Sequence, residues 1–346
     1  MLEFIRGNIL TADTEALVNT VNCVGIMGKG IALQFKKAFP ENFAAYRKRC
    51  EAGAVQTGKM FVFDTGAMLG LKYIINFPTK QHWRESSKYE YIADGLNDLV
   101  SVVRDKRIQS IAIPPLGCGN GGLDWAKVRP MIQRAFENFA DVHVMVYEPA
   151  GAPDTASMPI GTSRPQLTTA RALFLALMNM YTDGAYRLTL LEIQKLAYFM
   201  QECGQPLRLR YEKGHYGPYA QNLNKVLETL EGHYTQGYGD SQAPDVDIAL
   251  LPGAAADAMT FLEPLTDESQ RLRRVDALIE GFETPYGMEL LASTHWLAVH
   301  ETPPAGDVDA VIAGFVQWNE RKQTIFRPDH IRIACERLTE QHWITA

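Results

Sequence analysis

The chain has 346 residues, a formal net charge of −6, and 46% hydrophobic against 21% charged residues. That composition excludes a disordered chain, a collagen-like chain and a coiled-coil rod, and the length suits two globular domains. No apolar run approaches the ~20 residues of a membrane helix, the start MLEFIRGNIL lacks the features of a signal peptide, and five scattered cysteines without CxxC or zinc-like spacing point to reduced thiols in a cytoplasmic protein with no metal centre.

In chain order, the first 148 residues alternate β-rich runs with helical patterns. Leu2–Arg6 and Ala16–Val21 read as strands, and Gly30–Phe39 as a helix with apolar Ile31, Leu33, Phe35 and Phe39. Met60–Phe63, Tyr73–Phe77, Ser110–Ile113 and Val142–Tyr147 are further strands, with helices over Tyr89–Arg104 and Trp125–Phe139 between the later ones. This alternation predicts an α/β layer fold with a largely buried sheet. The segment 149–165, with four prolines and no periodicity, reads as a linker. Beyond it the spacing predicts helices over Leu167–Tyr181, Leu188–Glu202, Tyr219–Glu231, Ser269–Glu283 and Pro285–His300, with an exposed loop over Pro244–Gly253. The expected organisation is an α/β domain over 1–150, a linker over 151–166 and a mainly α-helical domain over 167–346. Residues 1–150 carry a net charge of +3 and the rest −9; this suits two different partners, or equally two ordinary solvated surfaces.

Two glycine-bearing segments follow predicted strands and precede helices. One is NCVGIMGKGIA (22–32), the other GCGNGG (117–122). Glycines in such places let backbone N–H groups approach a phosphate closely, but each loop alone is equally a turn or a helix cap. Neither a dinucleotide-binding fingerprint nor a Walker A loop fits the spacing.

The segments RGNIL, ALVNTVNCVGIMGKGIALQFKKAFP, YIINFPTK and PPLGCGNGGLDW, in this order, together resemble the macrodomain family over about the first 150 residues. Within it they are most similar to the branch found in DNA-modifying toxin–antitoxin systems and in the animal terminal ADP-ribose protein glycohydrolase. The resemblance implies an α/β/α fold with a mixed sheet that binds ADP-ribose as substrate group and needs no cofactor. It implies that Asn8 and Ile9 contact adenine, that Asn22 approaches the distal ribose, and that Gly28, Lys29, Gly30, Ile31 and Ala32 form the first phosphate loop. Gly117, Cys118, Gly119, Asn120 and Gly121 would form the second. Thr79 and Lys80 match the TK pair of this branch, whose lysine is catalytic. The animal relative also has a catalytic aspartate, and Gly121 stands at that position; the nearest carboxylate is Asp124. In the second half, the stretch from Leu190, LLEIQKLAYFMQECGQPLRLRYEKGHYGP, resembles the SocA-like (Panacea) helical domain of antitoxins.

Cleavage of a glycosidic bond at the anomeric carbon of ADP-ribose passes through an oxocarbenium-like state, and a lysine can attack that carbon as a neutral amine or stabilise charge as an ammonium. Position alone makes Lys80 a solvated residue or a phosphate anchor; the family match makes it catalytic. Trp83 can stack a nucleobase or pack half-buried, His82 reads as a surface residue, and Cys118 reads as a small apolar loop residue without a paired histidine. The expected function is therefore removal of ADP-ribose from nucleobases of single-stranded DNA by the first half, joined to direct neutralisation of a cognate DNA ADP-ribosyltransferase toxin by the second. The alternatives are a non-catalytic ADP-ribose-binding module, or an antitoxin acting by binding only.

Overall fold

The computed structural model describes residues 1–149, 158–182, 188–239, 247–301 and 307–344. It divides into two compact units, one of residues 1–164 with 239–242, the other of 165–238 with 243–346. Much of the expected linker, and the first residues of the loop expected over Pro244–Gly253, lie outside the described residues. The described tail of the linker packs on the first unit: Met158 joins one of its apolar clusters, and Gly161 N–H donates to Lys37 O at 2.8 Å.

The first unit runs β1 (Leu2–Ile5), a 3-10 turn (Ile9–Thr11), β2 (Ala16–Val21), α1 (Gly30–Ala38), α2 (Pro40–Glu51), β3 (Phe61–Asp64), β4 (Tyr73–Pro78), α3 (Tyr89–Asp105), β5 (Ser110–Ile113), α4 (Trp125–Phe136) and β6 (His143–Tyr147). Its six-stranded sheet has the order β1-β6-β5-β2-β4-β3. Pairing is parallel throughout except at the edge, where β3 runs antiparallel to β4. The strands are apolar on both faces because helices cover both. Alternate residues divide between two clusters: Ala16, Val18, Ile75, Phe77, Ile111 and Ile113 pack with Ile92, Leu96 and Leu99 of α3 and Val128 and Ile132 of α4. Leu17, Ile74, Ala112 and Tyr147 pack on the opposite face with Phe35 of α1. A third cluster gathers Val21, Met27, Tyr46 and Val55. This is the α/β/α arrangement with a mixed sheet that the sequence suggested.

The second unit is mainly helical, as expected. It comprises α5 (Thr169–Thr182), α6 (Leu190–Glu202), β7 (Tyr211–Gly214), β8 (Gly217–Ala220), α7 (Leu223–Leu230), β9 (Thr235–Gln236), β10 (Ala249–Leu250), α8 (Ala254–Leu262), α9 (Thr266–Ile279), α10 (Pro285–Val299), α11 (Val308–Trp318), α12 (Glu320–Ile325) and α13 (Pro328–Glu340). Helix α6 starts with a capping box in which Thr189 and Glu192 satisfy each other's end of the first turn. Helix α10 is buried almost throughout, from Gly287 to His295, which is why its sequence shows little amphipathic contrast. The glutamate in its middle, Glu289, is 1% exposed and takes hydrogen bonds from Arg321 (2.5 and 3.0 Å) and Lys322 (2.8 Å). Burying that carboxylate without these cations would cost several kcal/mol. Two sequence expectations are corrected here. The helix expected from Tyr219 starts at Leu223, because Tyr219 and Ala220 belong to the β7–β8 hairpin. The described part of the expected loop over Pro244–Gly253 contains β10, paired with β9, and a buried Ile248. Among the described residues no helix is long and apolar enough to cross a membrane.

Candidate ADP-ribose site

The carboxyl ends of parallel strands are where ligands bind in open α/β sheets, because the loops there leave a crevice. In the first unit, β2, β4 and β5 are neighbours, and their loops carry Asn22–Ala32, Thr79–Lys80 and Gly117–Gly122. The β2 and β4 exits are tied together beyond the strands: Thr79 N–H donates to Val21 O at 2.9 Å and Cys23 N–H to Gln81 O at 3.0 Å. A parallel ladder extended in this way fixes the residue between, Lys80.

Lys80 is 9% exposed, and its Nζ donates to the backbone carbonyl of Asn120 in the second glycine loop at 2.7 Å. Burial holds its amine below the usual lysine range. Among the described residues, no carboxylate forms an ion pair with it. Asn120 also meets the first loop. Gly30 has φ +59°, and a Cβ built on it would lie 2.8 Å from Asn120 Nδ2. The structure therefore brings the lysine and the two glycine loops together around one residue.

The first loop is held from beneath. Asn22 Oδ1 accepts from Val24 N–H (3.0 Å) and Ile26 N–H (3.3 Å), its Nδ2 donates to Ile26 O (2.6 Å), and Tyr46 donates its hydroxyl to Asn22 O (2.6 Å). In this structure Asn22 thus shapes the loop with the same carboxamide that the family resemblance turns toward ribose. Helix α1 begins at Gly30 after Lys29, which makes no side-chain cap. The N–H of Gly30 donates to Gly239 O at 2.5 Å, while the next N–H groups of the first turn have no partner within the helix, a setting that favours anions. Gly28, Lys29, Ile31 and Ala32 are half-buried around this start.

The second loop is closed by Leu123 N–H to Gly117 O (3.0 Å), Gly122 N–H to Gly119 O (3.0 Å) and Ser87 N–H to Gly121 O (2.9 Å). Gly117 has φ +69°, and the space at Gly119 is open. At Gly121 a Cβ would meet Ser87 Oγ at 2.3 Å and Gly117 O at 2.4 Å, so this loop path has no room for the aspartate of the animal relative. Asp124 does not replace it: the residue is exposed and caps α4, its Oδ1 accepting from Ala126 N–H at 2.9 Å. Cys118 is half-buried, and burial, with the Asp124 charge second, pushes its thiol up to about 12, so it stays an unreactive thiol at neutral pH.

Asn8 and Ile9 follow β1 at the same sheet edge, with β6 and β5 between them and β2. Asn8 caps the 3-10 turn, accepting from Leu10 N–H at 3.0 Å, and its Nδ2 lies 3.4 Å from Met158 Sδ; Ile9 is buried in the α1-side cluster. Sequence reasoning missed a buried polar network between β2, β4 and α2. Asn19 and Asn76 face each other in the β2–β4 register, Asn19 Nδ2 donates to Asn76 Oδ1 (3.0 Å), and Asn76 Nδ2 donates to Asn42 Oδ1 of α2 (2.7 Å). All three are fully buried; the sequence signal was Asn19 and Asn76 inside apolar strands, and Asn42 in α2 carried none.

Among the described residues, one set of metal-binding side-chain types converges, Glu202, His295 and His300 in the second unit. Two hydrogen bonds use these groups: Tyr198 hydroxyl pairs with His295 Nδ1 at 2.7 Å, and His300 Nε2 with Glu202 Oε2 at 2.9 Å.

A family model described as Macro domain matches residues 18–132. A solved macrodomain of Mycobacterium tuberculosis DarG is 58% identical, over 43% of this chain and 99% of that one, with a TM-score of 0.43. A DNA ADP-ribosyl transferase–DNA ADP-ribosyl glycohydrolase fusion protein of Thermosipho africanus is 31% identical over 163 residues, 43% of this chain and 42% of the fusion. A DNA ADP-ribosyl glycohydrolase of Thermus aquaticus is 48% identical over 341 residues, 99% of this chain and 94% of that protein. Similarity of that extent along nearly the whole chain makes it a member of the DNA ADP-ribosyl glycohydrolases, the DarG family of macrodomain hydrolases.

Proposed function

We propose that the first unit removes ADP-ribose from nucleobases of single-stranded DNA and that the amine of Lys80 is the catalytic group. The observation that carries this reading is the 2.7 Å bond from Lys80 Nζ to Asn120 O, which sets a largely buried amine between two glycine loops. Its partner is a neutral carbonyl, so the site supplies no carboxylate to hold the ammonium form, and desolvation favours the free amine. The lone pair of that amine forms a bond to the anomeric carbon of the distal ribose. The bond to the base breaks, and its electron pair leaves with the base, which takes up a proton. Opening of the sugar ring gives an imine, and water returns free ADP-ribose and the lysine amine. Gly28–Ala32 and Gly117–Gly121 hold the diphosphate, Thr79 and Asn22 order the ribose side, and Asn8 and Ile9 bound the adenine end.

The second unit, in the half that carries a net charge of −9, binds the cognate DarT-type toxin. Such a toxin must hold a polyanion, so its DNA cleft should be basic; charge then speeds encounter while buried anchors give affinity. The fusion of both activities in the Thermosipho protein supports the pairing. Incubating the full chain with ADP-ribosylated single-stranded DNA should release ADP-ribose, and borohydride should trap a sugar adduct on Lys80. No release would overturn the enzymatic reading. Cells expressing the toxin should still be rescued by the Lys80→Ala chain at matched expression; death of those cells would overturn the binding reading.

A further inference from the structure

Beyond β4 and Lys80 the chain enters a half-buried aromatic turn. After Lys80 the chain makes a turn closed by Glu85 N–H to His82 O at 3.1 Å, with Trp83 and Arg84 at its centre. His82 braces it: its Nδ1 accepts from Arg84 N–H at 3.3 Å, and its ring lies 5.4 Å from the Trp83 ring at 32°. The Arg84 guanidinium sits 4.6 Å from the Trp83 ring centre. Trp83 is only half-buried, and among the described residues it joins none of the three apolar clusters of the unit. Beside the turn, through the Cys23–Gln81 backbone bond, runs a loop whose Val24 and Ile26 are 44% and 43% exposed and likewise outside those clusters. Between residues 80 and 88 the charges are Lys80, Arg84 and Lys88 against Glu85.

A large, half-buried aromatic outside the three described apolar clusters, with a guanidinium over its ring on a cationic turn three residues from the amine, is suited to a base and its phosphate. Every nucleobase offers a π-face, and aromatic stacking with Arg alongside is the usual way single strands are held without sequence readout. Resting on the hydrolase reading above, we propose that Trp83, flanked by Arg84 and the Val24–Ile26 rim, is the platform on which an unstacked nucleobase of the DNA strand rests while Lys80 acts on the ribose.

The test compares Trp83→Ala and Trp83→Phe in the full chain on an ADP-ribosylated oligonucleotide, an ADP-ribosylated mononucleoside and free ADP-ribose. Trp83→Ala should raise KM for the oligonucleotide about 5- to 150-fold with kcat held, because stacking is uniform binding. Trp83→Phe should restore most of it, and affinity for free ADP-ribose should stay at the wild-type value. A KM effect shared by the mononucleoside assigns the platform to the modified base, and one confined to the oligonucleotide assigns it to a flanking base. An unchanged oligonucleotide KM, or an equal loss of ADP-ribose affinity, overturns the proposal. Failure of the wild-type chain to hydrolyse any of these substrates would instead overturn the hydrolase reading.

Discussion

Gly121→Ala tests whether the second glycine loop is as tightly closed as its geometry shows. The added methyl would lie 2.3 Å from Ser87 Oγ and 2.4 Å from Gly117 O. The first neighbour belongs to buried Ser87, whose Cβ would itself lie 2.9 Å away, and the second is backbone, so a rotamer change of Ser87 does not relieve the clash. Relief requires the loop to move, which strains Ser87 N–H to Gly121 O (2.9 Å) and shifts Asn120 O away from Lys80 Nζ. Overpacking of this kind costs about 1–3 kcal/mol. At about 2 kcal/mol, a unit of this size should lose about 4–8 °C in Tm. If half or more of the strain also opposes the ligand-bound loop, ADP-ribose affinity falls about fivefold or more. Gly119→Ala is the control, since nothing lies within 4 Å of its Cβ position and its φ is not positive. Scanning calorimetry and titration with free ADP-ribose measure both effects. Wild-type Tm and affinity in Gly121→Ala would refute the account of this loop, and with it the reason that no aspartate occupies the position.

Gly119→Glu, unlike Gly119→Ala, should abolish ADP-ribose binding in calorimetry, because a carboxylate would enter the phosphate cradle; unchanged affinity would mean the cradle is elsewhere. Asp124→Ala should cost about 1 kcal/mol of stability through the lost α4 cap while kcat stays unchanged, and a collapse of kcat in a folded variant would restore the carboxylate to the mechanism. Burial, with His300 second, pushes His295 down to about 3, against about 6.5 in an unfolded chain. Between those values the unfolded state takes up a proton that the folded state refuses, so the second unit should lose up to about 1.4 kcal/mol per pH unit as pH falls below 6.5. Denaturant titrations at pH 7 and pH 5 check this, and His295→Gln should flatten the slope.

The strands of the first unit were legible because both sheet faces are covered, which writes runs such as YIINFP and SIAI into the sequence. Helix α2 was not, since PENFAAYRKRCE buries only Asn42 and Tyr46 and so shows no apolar stripe. The β7–β8 hairpin was hidden by its composition: YEKG and GPYA carry charges and glycines where strands usually carry branched residues. In the site, motif order pointed to Lys80 and both loops. What no motif could show was that a backbone carbonyl, Asn120 O, anchors the amine, or that Asn19, Asn76 and Asn42 form a buried network between β2, β4 and α2, because such contacts join segments distant in sequence.

Lys80 is expected to act on the chemical step and not on the hold of ADP-ribose. Single-turnover release of ADP-ribose from modified single-stranded DNA, measured beside the calorimetric Kd for free ADP-ribose, compares the wild-type chain with Lys80→Ala. The rate should be lost while Kd stays within about threefold, since the glycine loops carry the binding. Full activity in Lys80→Ala would contradict this role, and a loss of affinity as large as the loss of rate would leave Lys80 a mere anchor.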